Sequence, residues 1–318
     1  MKQRLVVIGN GMAGARAVEE ILARGGADLL EITMFGDEPY GNYNRSMLSH
    51  VLSGEANASD IILNALTWYR ENNITLHAGV RVDRVDKFSK HVFASDGRVV
   101  AYDVLILATG GRSHLPPMEG LYTPSGTLRP GIFTFRTMDD TRRMIQFAQQ
   151  DHHRRAVVIG DEVPGLEVAR GLQARGLDVA VVHSGSRATG VLGSDRVSGI
   201  RLHGGNELDC DMAVVTSGIR PNVDVAVVSG LAVERAVVVD DYLQVMDEED
   251  IYALGECVQH RGEVYGLAAP AWDQAAVVAD HITGVDRSSV YLGSRNAAKL
   301  KVAGVDVPSW ASTSGTGH

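Results

Sequence analysis

Apolar residues come in short unbroken runs along this chain, and several of those runs stop at a glycine. Residues 4–8 close with Leu-Val-Val-Ile before Gly9, the composition of a strand buried on both faces of a parallel sheet. From 12 to 24 the spacing changes: Ala13, Ala17, Ile21 and Leu22 fall on one side of a helix. A second strand is expected over 31–35, leading into Gly36-Asp37-Glu38. The same strand-to-turn pattern returns at 102–107 before Ala108-Thr109-Gly110-Gly111, at 156–159 before Gly160, and at 250–254 before Gly255-Glu256-Cys257. A strand over 178–183 is followed by a polar, glycine-rich linker, then by a hairpin beginning at 197–202 with Gly204-Gly205 at its turn. Strands alternating with helices define an α/β protein with parallel sheets.

The glycine spacing supplies the chemistry. Gly9-Asn10-Gly11-Met12-Ala13-Gly14 follows a strand and opens a helix, which is the layout of a dinucleotide-binding turn. Gly9 permits the turn, Gly11 lets a diphosphate approach the backbone, and Gly14 lets helix and strand pack closely. The diphosphate then lies at a helix N-terminus, where unpaired N–H groups and the helix dipole favour negative charge. An acid after the second strand can hydrogen-bond the adenosine ribose; Glu38 is the candidate, with Asp37 the alternative. A second copy begins at Gly160, but its middle glycine is Glu162, preceded by Asp161. Like charges about 4 Å apart repel by roughly 1 kcal/mol in water and about 4 at an effective dielectric of 20. Nucleotide binding at the second copy is therefore expected to be impaired or absent. Glu162 is also expected to satisfy the helix-start N–H groups itself, with Pro164 early in the helix.

Composition narrows the alternatives. The 318 residues suffice for two domains, and 30 basic against 39 acidic side chains give a net charge of −9. That disfavours nucleic acid and anionic membranes as partners. The longest apolar run, around 104–108, is too short to span a bilayer, and the N-terminus has no signal layout, so a cytoplasmic protein is expected. Cys210 and Cys257 form no closely spaced pair, and no metal site is expected. His152-His153 reads as a solvated linker.

Further motifs carry a resemblance: Gly36-Asp-Glu-Pro-Tyr with Asn42-Tyr-Asn-Arg45-Ser-Met-Leu-Ser49, Ser217-Gly-Ile-Arg-Pro-Asn222, residues 255–270, and 298–306. With them the chain resembles the two-dinucleotide-binding-domain FAD oxidoreductases, the group of rubredoxin and ferredoxin reductases. It is most similar to the N-terminal FAD/NAD(P)H part of the assimilatory nitrite reductase large subunit. The resemblance implies non-covalent FAD held by Gly9, Gly11, Met12, Ala13 and Gly14, with Glu38 on the ribose. It also implies Asn44 and Arg45 on the flavin side of the diphosphate, Ala108-Thr109-Gly110 at the chain turn, and Gly255-Glu256 near the ribityl chain. Gly266 and Pro270 belong to the stretch 265–272 that would line the isoalloxazine. His50, where relatives often have lysine, is a candidate for moving protons, and Arg45 for orienting the flavin.

The expected architecture is a Rossmann-like FAD-binding domain with an inserted, shortened second dinucleotide-binding-type domain. The first should comprise 1–115 and 240–285, the second 116–239, with 286–318 a short remnant and flexible tail. A complete second module needs a further crossover helix and strand after 183, which this chain lacks. The iron–sulfur and sirohaem portions of nitrite reductase have no counterpart here, so nitrite reduction is not expected of this chain alone. Three functions fit: an FAD-dependent electron-transfer protein reduced by a partner or small molecule; an NAD(P)H-dependent reductase; or a non-catalytic FAD-binding subunit. A redox or subunit partner covering the flavin is expected, with Trp310 a candidate interface residue.

Overall fold

The computed structural model describes residues 2–150, 154–160, 162–183, 187–266, 268–294 and 309–310. Two parallel sheets of five strands dominate. In the first the order is Ile251–Ala253, Val104–Leu107, Gln3–Ile8, Leu30–Gly36 and Thr75–Ala78. In the second it is Ile132–Thr134, Met212–Val215, Arg155–Ile159, Asp178–Val182 and Ser309–Trp310. In each sheet the strand that ends at the glycine turn lies at the centre. Buried on both faces, these strands read in sequence as continuous Val/Ile/Leu runs.

The chain divides into two compact units. The first comprises residues 1–44, 62–112 and 221–297; the second 45–61, 113–220 and 298–318. These limits correct the expected ones in three places. Residues 221–239 join the first unit rather than the second, because Val225, Ala226, Leu231, Val237 and Val239 bury into its core. Residues 45–61 leave the first unit, because Leu52 of the helix Leu48–Ser53 is fully buried among Val168, Leu172 and Met144 of the second. Residues 286–294 are no remnant: Tyr291 is buried in the first core and its N–H donates to the Asp241 carbonyl at 2.8 Å.

The second unit corrects a further expectation. Residues 188–192, taken as linker, form a strand pairing antiparallel with Gly199–Leu202, which in turn pairs with Glu207–Asp209. Ala188 and Val191 are the buried residues that hold it in place. The turn of the second hairpin does fall at Gly204-Gly205, both at positive φ. The edge beside Asp178–Val182 is taken by Ser309–Trp310, where Val181 aligns with Ser309 and Val182 with Trp310. The interface role expected of the Trp310 side chain, the His152-His153 linker and the 298–306 motif fall outside the described residues.

Candidate functional site

The glycine turn of the first unit separates the demands of the fold from those of a ligand. Gly9 has φ +119, and a methyl group there would overlap the Ala108 carbonyl oxygen. One at Gly14 would overlap the Gly9 carbonyl oxygen and press within 3.2 Å of the Ala108 side chain. Both glycines are required by the packing of strand against helix. Gly11 is different. Its backbone is ordinary extended chain (φ −81, ψ −173), and a methyl group there would meet no protein atom within 4 Å. No described residue demands glycine at 11, and the helix Met12–Ala23 begins there with no side-chain cap and no acid in its first turn, an arrangement open to a ligand packed on the backbone.

Two other predicted segments of this unit, 108–110 and 255–256, reach the same helix start. Ala108 faces Gly9 and Gly14, and a methyl group at Gly255 would crowd Ala13 at 2.8 Å. Thr109 and Gly110 are pinned by Asn222: the threonine hydroxyl donates to the Asn222 carbonyl at 2.6 Å, and the Asn222 N–H donates to the Gly110 carbonyl at 2.8 Å. Gly110 has φ +64, so the chain turns sharply here. Glu38 follows the strand Leu30–Gly36, half-buried, and accepts a hydrogen bond from the Tyr43 hydroxyl at 2.6 Å. Glu256 sits half-buried in the turn Gly255–Cys257. Asn44 is half-buried, Gly266 exposed and Pro270 buried near the start of the helix Ala268–Thr283, which packs against Met12–Ala23.

Sequence reading missed two polar residues here. Tyr43 fixes the Glu38 carboxylate. Gln274 is fully buried and its Oε1 accepts from the Gly255 N–H at 2.7 Å. Its Nε2 is an orphaned buried donor among the described residues. Its helix also carries Asp273, Asp280 and His281, so nothing in the sequence singled Gln274 out.

The structure places Arg45 and His50 in the second unit. Arg45 donates to the Arg136 carbonyl at 2.8 Å. His50 lies half-exposed on its helix, with Nε2 3.8 Å from Glu55. Arg175 holds that helix by donating to the Leu52 and Val51 carbonyls at its C-terminal end, and burial lowers the Arg175 pKa.

The second glycine turn repeats the first. Gly160 N–H donates to the Val182 carbonyl as Gly9 N–H donates to Phe35. Gly160 has φ +130, and a methyl group at Gly165 would overlap the Gly160 carbonyl oxygen. Glu162 occupies the place of Gly11 with the same extended backbone, φ −75 and ψ 171. Its carboxylate is exposed and makes no capping bond to the helix start, which corrects the expectation that it replaces a missing anion. Pro164 does lie in the first turn.

Both cysteines are fully buried. Burial pushes the Cys210 thiol up to about 12 and raises that of Cys257 as well. Among the described residues no cluster of His, Cys, Asp or Glu could hold a metal, and no helix is long and apolar enough to cross a membrane.

Two parallel-sheet modules with strand–glycine turn–helix junctions define a two-domain Rossmann-type dinucleotide-binding oxidoreductase. The chain belongs to the pyridine nucleotide-disulphide oxidoreductase family, whose profile matches residues 3–198 and 184–275. It is 38% identical to the assimilatory nitrate reductase electron transfer subunit of Bacillus subtilis (strain 168), over 96% of this chain and 42% of that protein. It is 39% identical to the nitrite reductase [NAD(P)H] of the same organism, over 96% of this chain and 40% of that protein. The chain thus spans about two fifths of the length of these relatives. Among solved structures, the covalent putidaredoxin reductase–putidaredoxin complex matches with TM-score 0.80 and 25% identity, covering 89% of this chain and 75% of that one.

Both alignments run over 336 positions, more than the 318 residues of this chain, so the relatives carry residues inside the matched span that it lacks. The family profile breaks into two matches that overlap at 184–198, directly after the strand Asp178–Val182. The family's description includes disulphide chemistry, but the chain's two cysteines are buried in separate cores, neither placed for it.

Proposed function

We propose that this chain is the flavin-carrying electron-transfer module of a reductase system, reduced by a partner protein or a small molecule rather than efficiently by NAD(P)H. One observation carries the reading. The second turn keeps the two glycines that the fold requires and replaces with Glu162 the one that only a ligand requires. The overlap of the two family matches just after Asp178–Val182, with alignments longer than this chain, supports it, since a shortening there would remove the crossover expected beside that turn.

In the first unit the residues fit FAD. Gly11 leaves room for a diphosphate against backbone, the uncapped start of Met12–Ala23 offers it N–H donors, and Glu38, held by Tyr43, offers the ribose a carboxylate. The turns at Thr109-Gly110 and Gly255-Glu256 bound the path of the extended cofactor, with Met12 and Ala13 at the helix start and Asn44, Gly266 and Pro270 along the flavin end. The bound flavin would supply one- and two-electron transfer. The resemblance gives Arg45 a contact on the flavin side of the diphosphate, while His50 departs from the lysine of relatives and takes its candidate proton-moving role from the chemistry of histidine; both enter this proposal, and His50→Gln should slow flavin reoxidation while leaving FAD content intact. A protein acceptor or donor fits a relative named as an electron transfer subunit.

A second reading, an NAD(P)H-dependent reductase, is favoured by the relative named nitrite reductase [NAD(P)H]. Anaerobic titration separates the two. Under the proposal the flavin stays oxidised with stoichiometric NADH or NADPH and bleaches with dithionite. Rapid stoichiometric bleaching by either nucleotide overturns it.

A further inference from the structure

Behind the glycine turn of the first unit lies a buried polar network that the cofactor contacts leave unexplained. Tyr69, on the short helix Leu66–Glu71, is 1% exposed. Its hydroxyl donates to Asn10 Oδ1 at 2.7 Å and accepts from the Asn42 N–H at 3.2 Å. Asn10 stands between Gly9 and Gly11, and its Nδ2 donates to the Tyr40 carbonyl at 3.2 Å. Asn42 donates through Nδ2 to Asn64 Oδ1 at 2.9 Å, and Asn64 Nδ2 donates to Glu19 of the first helix, also at 2.9 Å. Asn42 and Asn64 are both buried. Gly36 makes room for the arrangement, since a methyl group there would crowd Asn10 Cβ at 2.8 Å.

This network has a specific geometry. Asn10 belongs to the loop that would meet the diphosphate, while Tyr40 and Asn42 belong to the segment that carries Glu38 and its partner Tyr43. The two halves of an adenosine-diphosphate site come from different parts of the sequence, and the Tyr69 hydroxyl bonds to both. We infer that Tyr69, acting through Asn10, is a positioning residue that sets the glycine loop and the Glu38 segment in register for FAD. A buried phenol suits this role, because burial raises its pKa and it keeps the proton that it donates to Asn10. With the hydroxyl gone, Asn10 Oδ1 and the Asn42 N–H lose a buried partner, and the loop is free to find others.

The inference rests on FAD occupying the first unit, and the test keeps the two apart. FAD release on dilution of the full-length holoprotein is followed by flavin fluorescence for wild type, Tyr69→Phe, Asn10→Ala and the double variant. Tyr102→Phe is the control, a fully buried tyrosine of the same core whose hydroxyl has no partner among the described residues. Tyr69→Phe should weaken FAD binding on the order of tenfold, with the double variant little worse than the weaker single one. The ³¹P resonances of the bound diphosphate should shift in Tyr69→Phe and stay put in Tyr102→Phe. Unchanged affinity in Tyr69→Phe, equal losses in Tyr69→Phe and Tyr102→Phe, or additive effects of Tyr69→Phe and Asn10→Ala would overturn the inference while FAD binding by wild type stands. Wild type that holds no FAD would remove both.

Discussion

Replacing Gly11 with glutamate should abolish tight FAD binding and leave the fold intact, and both halves of that statement have magnitudes. At Gly11 the backbone is extended, and a Cβ would meet no protein atom within 4 Å. The chain already carries a glutamate at the same step of its second turn, with φ and ψ nearly identical. Removing a glycine from an accessible conformation stabilises by about 0.4–1 kcal/mol through the unfolded chain. A carboxylate near a helix start contributes about 0.3–1 kcal/mol. The altered N-cap costs a comparable amount, so flavin-free protein should unfold within a few degrees of wild type. For binding, each contact of about 4 Å between the new carboxylate and a phosphate charge costs roughly 1 kcal/mol in water and about 4 at an effective dielectric of 20. That corresponds to a loss of about fivefold to nearly a thousandfold in affinity for each such contact. Flavin content by visible absorbance and the FAD dissociation constant measure the second half; thermal unfolding of flavin-free protein measures the first. Flavin-free forms must be compared, because bound ligand itself raises the transition. Gly14→Ala gives the contrast: its methyl group overlaps the Gly9 carbonyl oxygen, so stability and flavin should fall together. Full flavin retention by Gly11→Glu, or destabilisation matching that of Gly14→Ala, would refute the assignment of Gly11 to the ligand.

The reverse change, Glu162→Gly, should speed anaerobic bleaching by NADH about fivefold or more; no change would count against the Glu162 side chain as what limits the nucleotide. Neither Cys210 nor Cys257 should react with a thiol reagent in the native state at pH 8, and both should react on unfolding; rapid native labelling would contradict their burial. The Arg261 guanidinium and His260 hold the Asp241 carboxyl at about 2. A depressed carboxylate contributes stability that is complete above its unfolded pKa near 4 and lost as pH falls toward 2. Asp241→Asn should therefore flatten the acid limb of the urea midpoint between those values, an effect reduced by solvent screening, and an unchanged limb would count against the pairing.

What the sequence disclosed and what it hid follow from locality. Gly14 and Gly165 answer to Gly9 and Gly160 within one strand–turn–helix, so their roles were readable from spacing, whereas the crowding of Gly9 by Ala108 and of Gly160 by Thr216 comes from a neighbouring strand end. The assignment of residues 45–61 and 221–239 to a unit was not. Leu48, Val51 and Leu52 announce a buried helix face, but periodicity is silent about which core receives it. The strand Ala188–Leu192 was hidden by a glycine and a threonine among only five residues, too few for alternation to stand out from a linker. Tyr291 lies 50 residues beyond the Asp241 carbonyl that fixes it, a pairing visible only in three dimensions. Tyr69 was hidden for another reason. A tyrosine beside Trp68 in a helix reads as ordinary core, and only its distance to Asn10 reveals that its oxygen reaches the glycine turn.

The pairing of Ser309–Trp310 with Asp178–Val182 bears on how the protein can be handled. A parallel strand with one side bare is a template for any passing polypeptide, and loss of a neighbouring crossover would leave such a side on Val179, Val181 and their companions. In this chain Ser309–Trp310 cover part of it. Trimming the sequence ahead of Ser309 to obtain a tidier fragment would strip that cover, and the shortened protein should form more soluble aggregates or mispaired dimers than the untrimmed one.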